Sequence, residues 1–393
     1  MRVKVKRQAR VGLGFLGMML LIEFLDELID GVDGAAWPLI RNDLKLSYFE
    51  IGLLLSVPRI VGGLLEPVMA ILSDVWKRRM FVLVGGVGFV ISLLLTGLAG
   101  GFWVLLASFV LFNPSSGAFV SLSQASMADA EPHRVEQNMA RWALAGSLGN
   151  VAGPIVISLA AGLGFGWRPV YVGLAVLAAM TLFATWRTPE PPRVQPHEPE
   201  PGLIAGLRRA LGALKRCEVW RWLALLEASD LMLDVFRGYV GLYFVDVVGS
   251  AESVSSLALA VFTGVGLLGD ALLLPLLERG SGLRYLRFSV WLTLIVFPAF
   301  MLAPAGAKFV LLGVLGLLNS GWYSILKARL YASLPGQSGT VLAVSNLSGL
   351  VGSLMPFALG ALAQRFGLEV AVWCLILGLL TLLVGLPRHQ TSR

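Results

Sequence analysis

Twelve apolar stretches long enough to cross a bilayer divide this chain. They lie near residues 11–38, 49–73, 80–99, 103–127, 139–162, 169–186, 222–245, 253–277, 288–305, 309–331, 340–363 and 369–386. About 20 apolar residues in a helix span the hydrocarbon core. The pattern predicts an all-α membrane protein with twelve transmembrane helices, rather than a soluble enzyme with an anchor. The basic start followed by an apolar run resembles a signal peptide. It lacks a clear small-residue cleavage site, so a retained first helix is expected.

The first stretch breaks its own pattern. Glu23, Asp26, Glu27, Asp30 and Asp33 lie inside it, within a sector of about 120° at 100° per residue. The seventh stretch repeats part of this run as Glu227, Asp230 and Asp234. The offset is 204 in each case (227 less 23, 230 less 26, 234 less 30). Facing lipid, these six repeated acids would cost on the order of 18 kcal/mol, at ~3 kcal/mol each. They are therefore expected to face a wet cavity. The same offset relates Gly34 to Gly238, Gly62 to Gly266, Glu66 to Asp270, Asp74 to Glu278, and Ser116-Gly117 to Ser320-Gly321. This is a parallel repeat of six helices and six helices.

Between the repeats the hydrophobic pattern stops. Six prolines between Thr188 and Gly202 predict an extended linker. Leu203–Arg216 carries leucines on one side and basic residues elsewhere, as a surface amphipathic helix would. An extension of the seventh span is the alternative. The expected organisation is a bundle at 1–187, a linker at 188–221 and a second bundle at 222–393.

Composition sharpens this picture. The 393 residues are 56% hydrophobic and 14% charged, against about 25% charged in soluble domains. The net charge of +7 is unevenly placed. Of 31 Lys and Arg, 21 fall on the side where the chain starts and five on the other: Arg41, Lys45, Arg168, Lys308 and Arg365. That asymmetry places both termini in the cytoplasm and accounts for the basic excess without nucleic acid. Arg141, Lys327 and Arg329 read as snorkelling side chains at helix ends. Cys217 and Cys374 give no disulfide framework, and His133, His197 and His389 all lie outside the spans, so no metal cluster or cofactor is expected. The strings Gly12–Gly17 and Gly264–Gly269 fit G-x-G-x-x-G, yet no strand precedes either, so they read as packing glycines. Nucleotide-binding and nucleophile motifs are absent, which argues against ATP-driven transport and against a lipid-acting enzyme.

Three motifs carry a family resemblance. The loop Ala70-Ile71-Leu72-Ser73-Asp74-Val75-Trp76-Lys77-Arg78-Arg79 resembles the G-x-L-a-D-r-x-G-r-k signature of the major facilitator superfamily. It departs at Ala70, Val75 and Lys77. Ordinary positive-inside decoration is the plainer explanation, and the recurrence of Asp74 as Glu278 favours a latch. Gly149-Asn150-Val151-Ala152-Gly153-Pro154 resembles that family's antiporter-type fifth-helix motif without its trailing glycines, or is plain helix packing. Gly166-Trp167-Arg168 resembles the start of the family's sixth helix. Residues 23–74 are similar in spacing to the fosmidomycin-resistance type of drug exporter, whose acidic positions differ, so its substrate does not carry over. The resemblance implies two six-helix bundles, rocking alternating access and a lean towards export.

The expected function is secondary active transport: proton-coupled antiport of a small cationic or amphipathic molecule by a monomer in the plasma membrane. Uptake symport and divalent-cation transport through the carboxylates stay open, as does a static network or a transport-dead receptor. Like charges crowded away from bulk water hold protons readily. Glu23, Asp26, Asp30, Glu227, Asp230 and Asp234 are therefore read as carrying protons or binding substrate. Arg59, close in depth to Glu23 and Asp26, would tune them. Arg237 takes the repeat position of Asp33, and an Asp33–Arg237 outer gate is expected. Asp74, Arg78, Glu278, Glu66 and Asp270 are assigned to the gate network. Trp37, Phe24 and Tyr239 either line the cavity or pack between helices.

Overall fold

In lipid every backbone N–H and C=O needs a partner, and a continuous helix supplies it within one segment. The computed structural model describes residues 13–75, 78–131, 134–189, 212–279, 281–334 and 338–387; among them there are helices and no strand. Twelve segments reach membrane length. They are α1 (Leu13–Leu44), α2 (Tyr48–Val75), α3 (Arg78–Gly97), α4 (Phe102–Ala130), α5 (Val135–Gly162) and α6 (Arg168–Arg187). The second six are α7 (217–246), α8 (Glu252–Arg279), α9 (Gly282–Leu302), α10 (Ala305–Ser333), α11 (338–366) and α12 (Leu368–Gly385). Ten are long and apolar enough to cross a membrane by composition alone. The other two, α1 and α7, are the ones that carry the acids.

The offset of 204 survives folding. Tyr48 and Val75 bound α2, and Glu252 and Arg279 bound α8 at that same distance. The acid-bearing helices differ in one respect. α1 is α-helical throughout, whereas α7 contains a π-helical turn at Leu231–Val235. Other helices are interrupted as well, α11 at 353–354 and α12 at 374–375 among them. α4 has a π turn at Gly117–Ser121, and α10 breaks at Gly321, whose φ of 71° only glycine adopts freely.

α5 lies against α1 at backbone distance. A Cβ at Gly149 would overlap the Phe24 carbonyl oxygen, and one at Gly153 would overlap the Val32 nitrogen. The glycines of the fifth-helix motif are thus packing residues. Between the halves, α2 packs on the later part of α11, α5 on α8, and α1 on the later part of α7. Gly52 of α2 lies so close that a Cβ would meet the Phe357 Cα at 2.9 Å.

Lys308 is not a loop residue. It lies in α10, buried, with Nζ donating to the Phe300 and Met301 carbonyls at 2.6 and 2.7 Å and to the Tyr243 hydroxyl at 3.0 Å. There it satisfies the last carbonyls of α9. Most of the proline-rich stretch and most of the amphipathic helix fall at 190–211, outside the described residues.

Candidate functional site

Where the halves meet, a cavity of about 490 Å³ opens between α1, α2, α4 and α7. Asp26, Glu27, Asp30 and Asp33 enter it from α1, Glu66 from α2 and Asp234 from α7; Arg59 and Arg237 are its bases. The cavity carboxylates of α1 meet partners on three other helices. Asp26 accepts from the Ser116 hydroxyl of α4 at 2.8 Å. Glu27 and Asp30 share the Asn150 amide of α5, at 2.9 and 3.1 Å. Asp33 accepts from the Tyr171 hydroxyl of α6. A helix turning 100° per residue spreads its acids over three partner helices while keeping them on the cavity wall.

Arg237 ties the halves together. Its guanidinium donates to Asp30 at 2.6 Å and to the Asn150 side-chain oxygen at 3.0 Å, and lies 3.7 Å from Asp234. The expected Asp33–Arg237 pair is therefore replaced by Asp30–Arg237, with Asp33 on Tyr171. Arg237 reaches one turn back along α1, where Asp30 and the Asn150 side-chain oxygen together offer it two acceptors, while the Tyr171 hydroxyl takes up Asp33.

Other expectations change as well. Arg59, expected to tune the repeated acids, lies 3.6 Å from Asp234 across the halves, in the cavity that Asp26 also lines and Glu23 does not. Glu23 does not line the cavity; it is buried against α5, where a Cβ on Gly146 would meet its carboxylate at 2.6 Å. Glu227 occupies the equivalent place against Gly352 of α11 and accepts from Ser348 at 2.5 Å. Asp230 stands one turn before Asp234 and is outside the cavity lining. Of the six repeated acids, the structure brings Asp26, Asp30 and Asp234 into the cavity.

Glu66 and Asp270 are cavity residues and form a matched pair. A Cβ on Gly117 would meet the Glu66 side chain at 2.7 Å, and Asp270 accepts the Gly321 N–H at 2.8 Å, so each acid faces the glycine at the same repeat position. Arg78 bonds Asp129 of α4 at 2.7 Å, inside the first half. The side chains of Asp74 and Glu278 lie outside the described residues. Trp37 does line the cavity, edge-on to Phe109 with ring centroids 5.8 Å apart. Tyr239 is buried and donates to the Pro356 carbonyl. Phe24 is only partly buried and packs against the core. Lys327, expected to snorkel, turns to the Ser345 hydroxyl of α11 at 2.8 Å.

Beyond Trp37, on the side opposite the start of α1, the helix ends close over the cavity. Arg41 bonds Asp246 at 3.0 Å and stacks on the Tyr48 ring at 4.5 Å. Tyr48 donates its hydroxyl to Asp246 at 2.7 Å, and Asn42 donates to Glu252 at 2.7 Å. The Phe357 N–H donates to Ser56 at 2.9 Å. None of these residues was singled out as a gate from sequence, although Asn42 and Asp246, and Tyr48 and Glu252, stand 204 apart. Asn150, Ser116 and Tyr171 were missed as partners for the acids because each is an ordinary residue in an apolar helix. Among the described residues, no three His, Cys, Asp or Glu side chains come together as a metal site.

Two six-helix bundles around a charged cavity, closed at one side, define a membrane transporter fold. The family model of the Major Facilitator Superfamily matches residues 19–355, and the chain belongs to that family. It is 24% identical to the fosmidomycin resistance protein of Escherichia coli (strain K12), over 98% of this chain and 95% of that protein. Among solved structures it is similar to a bacterial homolog of the human lysosomal transporter Spinster in an inward-facing, unoccupied conformation. That likeness has a TM-score of 0.73 and 16% identity over 95% and 94% of the two chains. It is also similar to the nucleoside transporter NupG, with a TM-score of 0.76 and 12% identity over 96% and 99%. The latter two likenesses bear on the fold alone.

Proposed function

We propose that this transporter exports a small cationic or amphipathic molecule in exchange for protons. The observation that carries the reading is the charge of the cavity wall: six carboxylates against two arginines. A low-dielectric cleft lined by one sign focuses its field and concentrates counter-ions. Protons and organic cations would therefore compete for the same oxygens, which is the requirement for antiport. The likeness to a resistance protein supports the outward direction. The proposed orientation has both termini in the cytoplasm of a plasma-membrane monomer, in keeping with the basic residues gathered on the side where α1 begins. The far-side clasp is then the outer gate, drawn shut.

In the proposed cycle Arg237 reports the state of the acids. With Asp30 ionised, the Asp30–Arg237–Asn150 tie holds α1, α5 and α7 together. Protonation of Asp30 removes one partner of that charge-assisted bond, and the halves become free to rock.

Vesicles containing the purified protein, with an imposed pH gradient and a panel including tetraphenylphosphonium, benzylammonium and fosmidomycin, test the reading. Uphill cation movement driven by the gradient is expected. Movement of the test compound down its own gradient only, with no dependence on pH, would refute proton-coupled export.

A further inference from the structure

The lipid-facing wall of the first half ends in two arginines. α3 and α6 run antiparallel and lie directly against each other. A Cβ on Gly86 would meet the Leu182 side chain at 2.5 Å, and one on Gly97 the Val172 side chain at 2.9 Å. Both helices present exposed apolar residues outward, Met80, Val84 and Val87 on α3 and Phe183, Met180 and Val176 on α6. Spacings of three and four residues keep each set on one helix face. From Arg187 back to Val176 is eleven residues, about 16 Å of helix, or half of a hydrocarbon core of about 30 Å. The surface therefore covers one leaflet, on the side where α1 begins.

Charge heads both stripes. Arg79, next to Met80, donates from Nη2 to the Trp186 carbonyl at 2.7 Å. Arg187 lies over the Phe183 ring at 4.8 Å and the Trp186 ring at 5.7 Å. The two arginines thus bracket Trp186, whose own ring is exposed and 5.9 Å from that of Phe183. Neither forms an ion pair among the described residues, and the nearby Asp129 carboxylate is taken by Arg78. The end of α6 supplies only the partial charge of its last carbonyls, about half an elementary charge, against two full positive charges.

A snorkelling arginine points freely into water. Here one head is fixed by a carbonyl and the other by two ring faces, so the pair is in place before an anion arrives. Guanidinium forks match phosphate oxygens. Tryptophan sits at the headgroup level of a bilayer, and the stripes beyond it accept acyl chains. A free anion would use the arginines alone, whereas a phospholipid uses the whole surface. A zwitterionic headgroup would bring a cation of its own towards Arg79 and Arg187, which an anionic one does not.

We propose that this face binds one anionic phospholipid, with its phosphate at Arg79 and Arg187 and its chains along α3 and α6. In the orientation proposed above the leaflet is the cytoplasmic one, whose surface is negative. The site does not depend on what the central cavity carries. Its test uses the purified full chain in detergent, stripped of lipid, and phosphatidylglycerol brominated on its acyl chains near the headgroup. The signal is quenching of Trp186 fluorescence, taken as the difference between the parent and Trp186→Phe. Quenching should saturate at lower lipid than with phosphatidylcholine carrying the same chains. Arg187→Gln should raise the half-saturating phosphatidylglycerol about fivefold, and Arg79→Gln with Arg187→Gln about thirtyfold. Arg221→Gln alters a guanidinium that caps α12 at the Gly385 carbonyl, on the same side of the second half, and should leave the value unchanged. Arg187 donates no hydrogen bond among the described residues, so its single variant decides the matter if the double variant does not fold.

Equal half-saturation by the two lipids, or an unchanged value in Arg187→Gln, would overturn the proposal. So would quenching that millimolar inorganic phosphate abolishes, which would assign the arginines to a soluble anion. A chain that elutes as a dimer with Trp186 shielded from both lipids would assign the face to a second copy and overturn it equally.

Discussion

Asn42 donates to Glu252 between the same two repeat positions at which Tyr48 donates to Asp246, with donor and acceptor exchanged. Both hydrogen bonds measure 2.7 Å. Asn42 maps to Asp246 and Tyr48 maps to Glu252 at the offset of 204, so one interaction is made twice across the closed side. A clasp built this way opens all at once, because a rocking motion that is symmetric with respect to the axis of the repeat stretches both copies equally.

Removing the clasp should favour the state open on that side. In a Cys217→Ser, Cys374→Ser background, Tyr48→Phe with Glu252→Gln removes one charge-assisted partner from each copy. Each loss is about 1 kcal/mol, a shift of roughly fivefold or more in population. A cysteine placed at Leu55, on the cavity wall, should then be labelled faster by a charged thiol reagent applied from the clasp side. Equal labelling rates with and without the clasp substitutions would show that these bonds do not hold the gate.

The Asp30–Arg237 tie should behave as a unit. Arg237→Met leaves Asp30 without its cation and should lower thermal stability by roughly 1.5–3 kcal/mol. Asp30→Asn should cost a similar amount. The double variant should cost less than the sum, with a coupling of about 0.5–3 kcal/mol. Additive losses in thermal unfolding would mean the two side chains act independently.

Gly153 should tolerate no side chain. Its Cβ would overlap the α1 backbone at Val32, so Gly153→Ala should destabilise by about 1–3 kcal/mol by forcing the helices apart. Gly173 of α6 has nothing within 4 Å of an added Cβ, and Gly173→Ala should be neutral or mildly stabilising. The comparison by thermal unfolding in detergent checks the close approach of α1 and α5 directly.

Gly321 should be equally intolerant for a different reason. Its φ of 71° strains any L side chain, and its Cβ would overlap the Leu273 side chain. Gly321→Ala should cost about 1–2 kcal/mol from the backbone conformation alone. It should also disturb the N–H donated to Asp270. A variant as stable as the parent would show that the break in α10 is not needed.

Much of this architecture is legible in the residues. The twelve helices follow from apolar length, and the repeat follows from a fixed offset that the helix ends of α2 and α8 keep. The acid face of α1 follows from helical spacing. The partners do not follow, because Ser116, Asn150 and Tyr171 lie on other helices and carry no mark of their role. The choice of Asp30 over Asp33 by Arg237 depends on Asn150 and Tyr171, which the offset of 204 does not reveal. The clasp residues sit at helix ends, where polar side chains are ordinary. Only their relation by 204 could have singled them out.

The central claim is that cation and proton compete for the cavity carboxylates. Proton release on cation binding tests it most directly, measured on the purified protein in weakly buffered detergent solution near neutral pH. Tetraphenylphosphonium binding should release protons from the parent, and the release should fall sharply in Asp26→Asn, Asp30→Asn and Asp234→Asn. Tight binding with no proton released, or release unchanged in all three variants, would contradict the account.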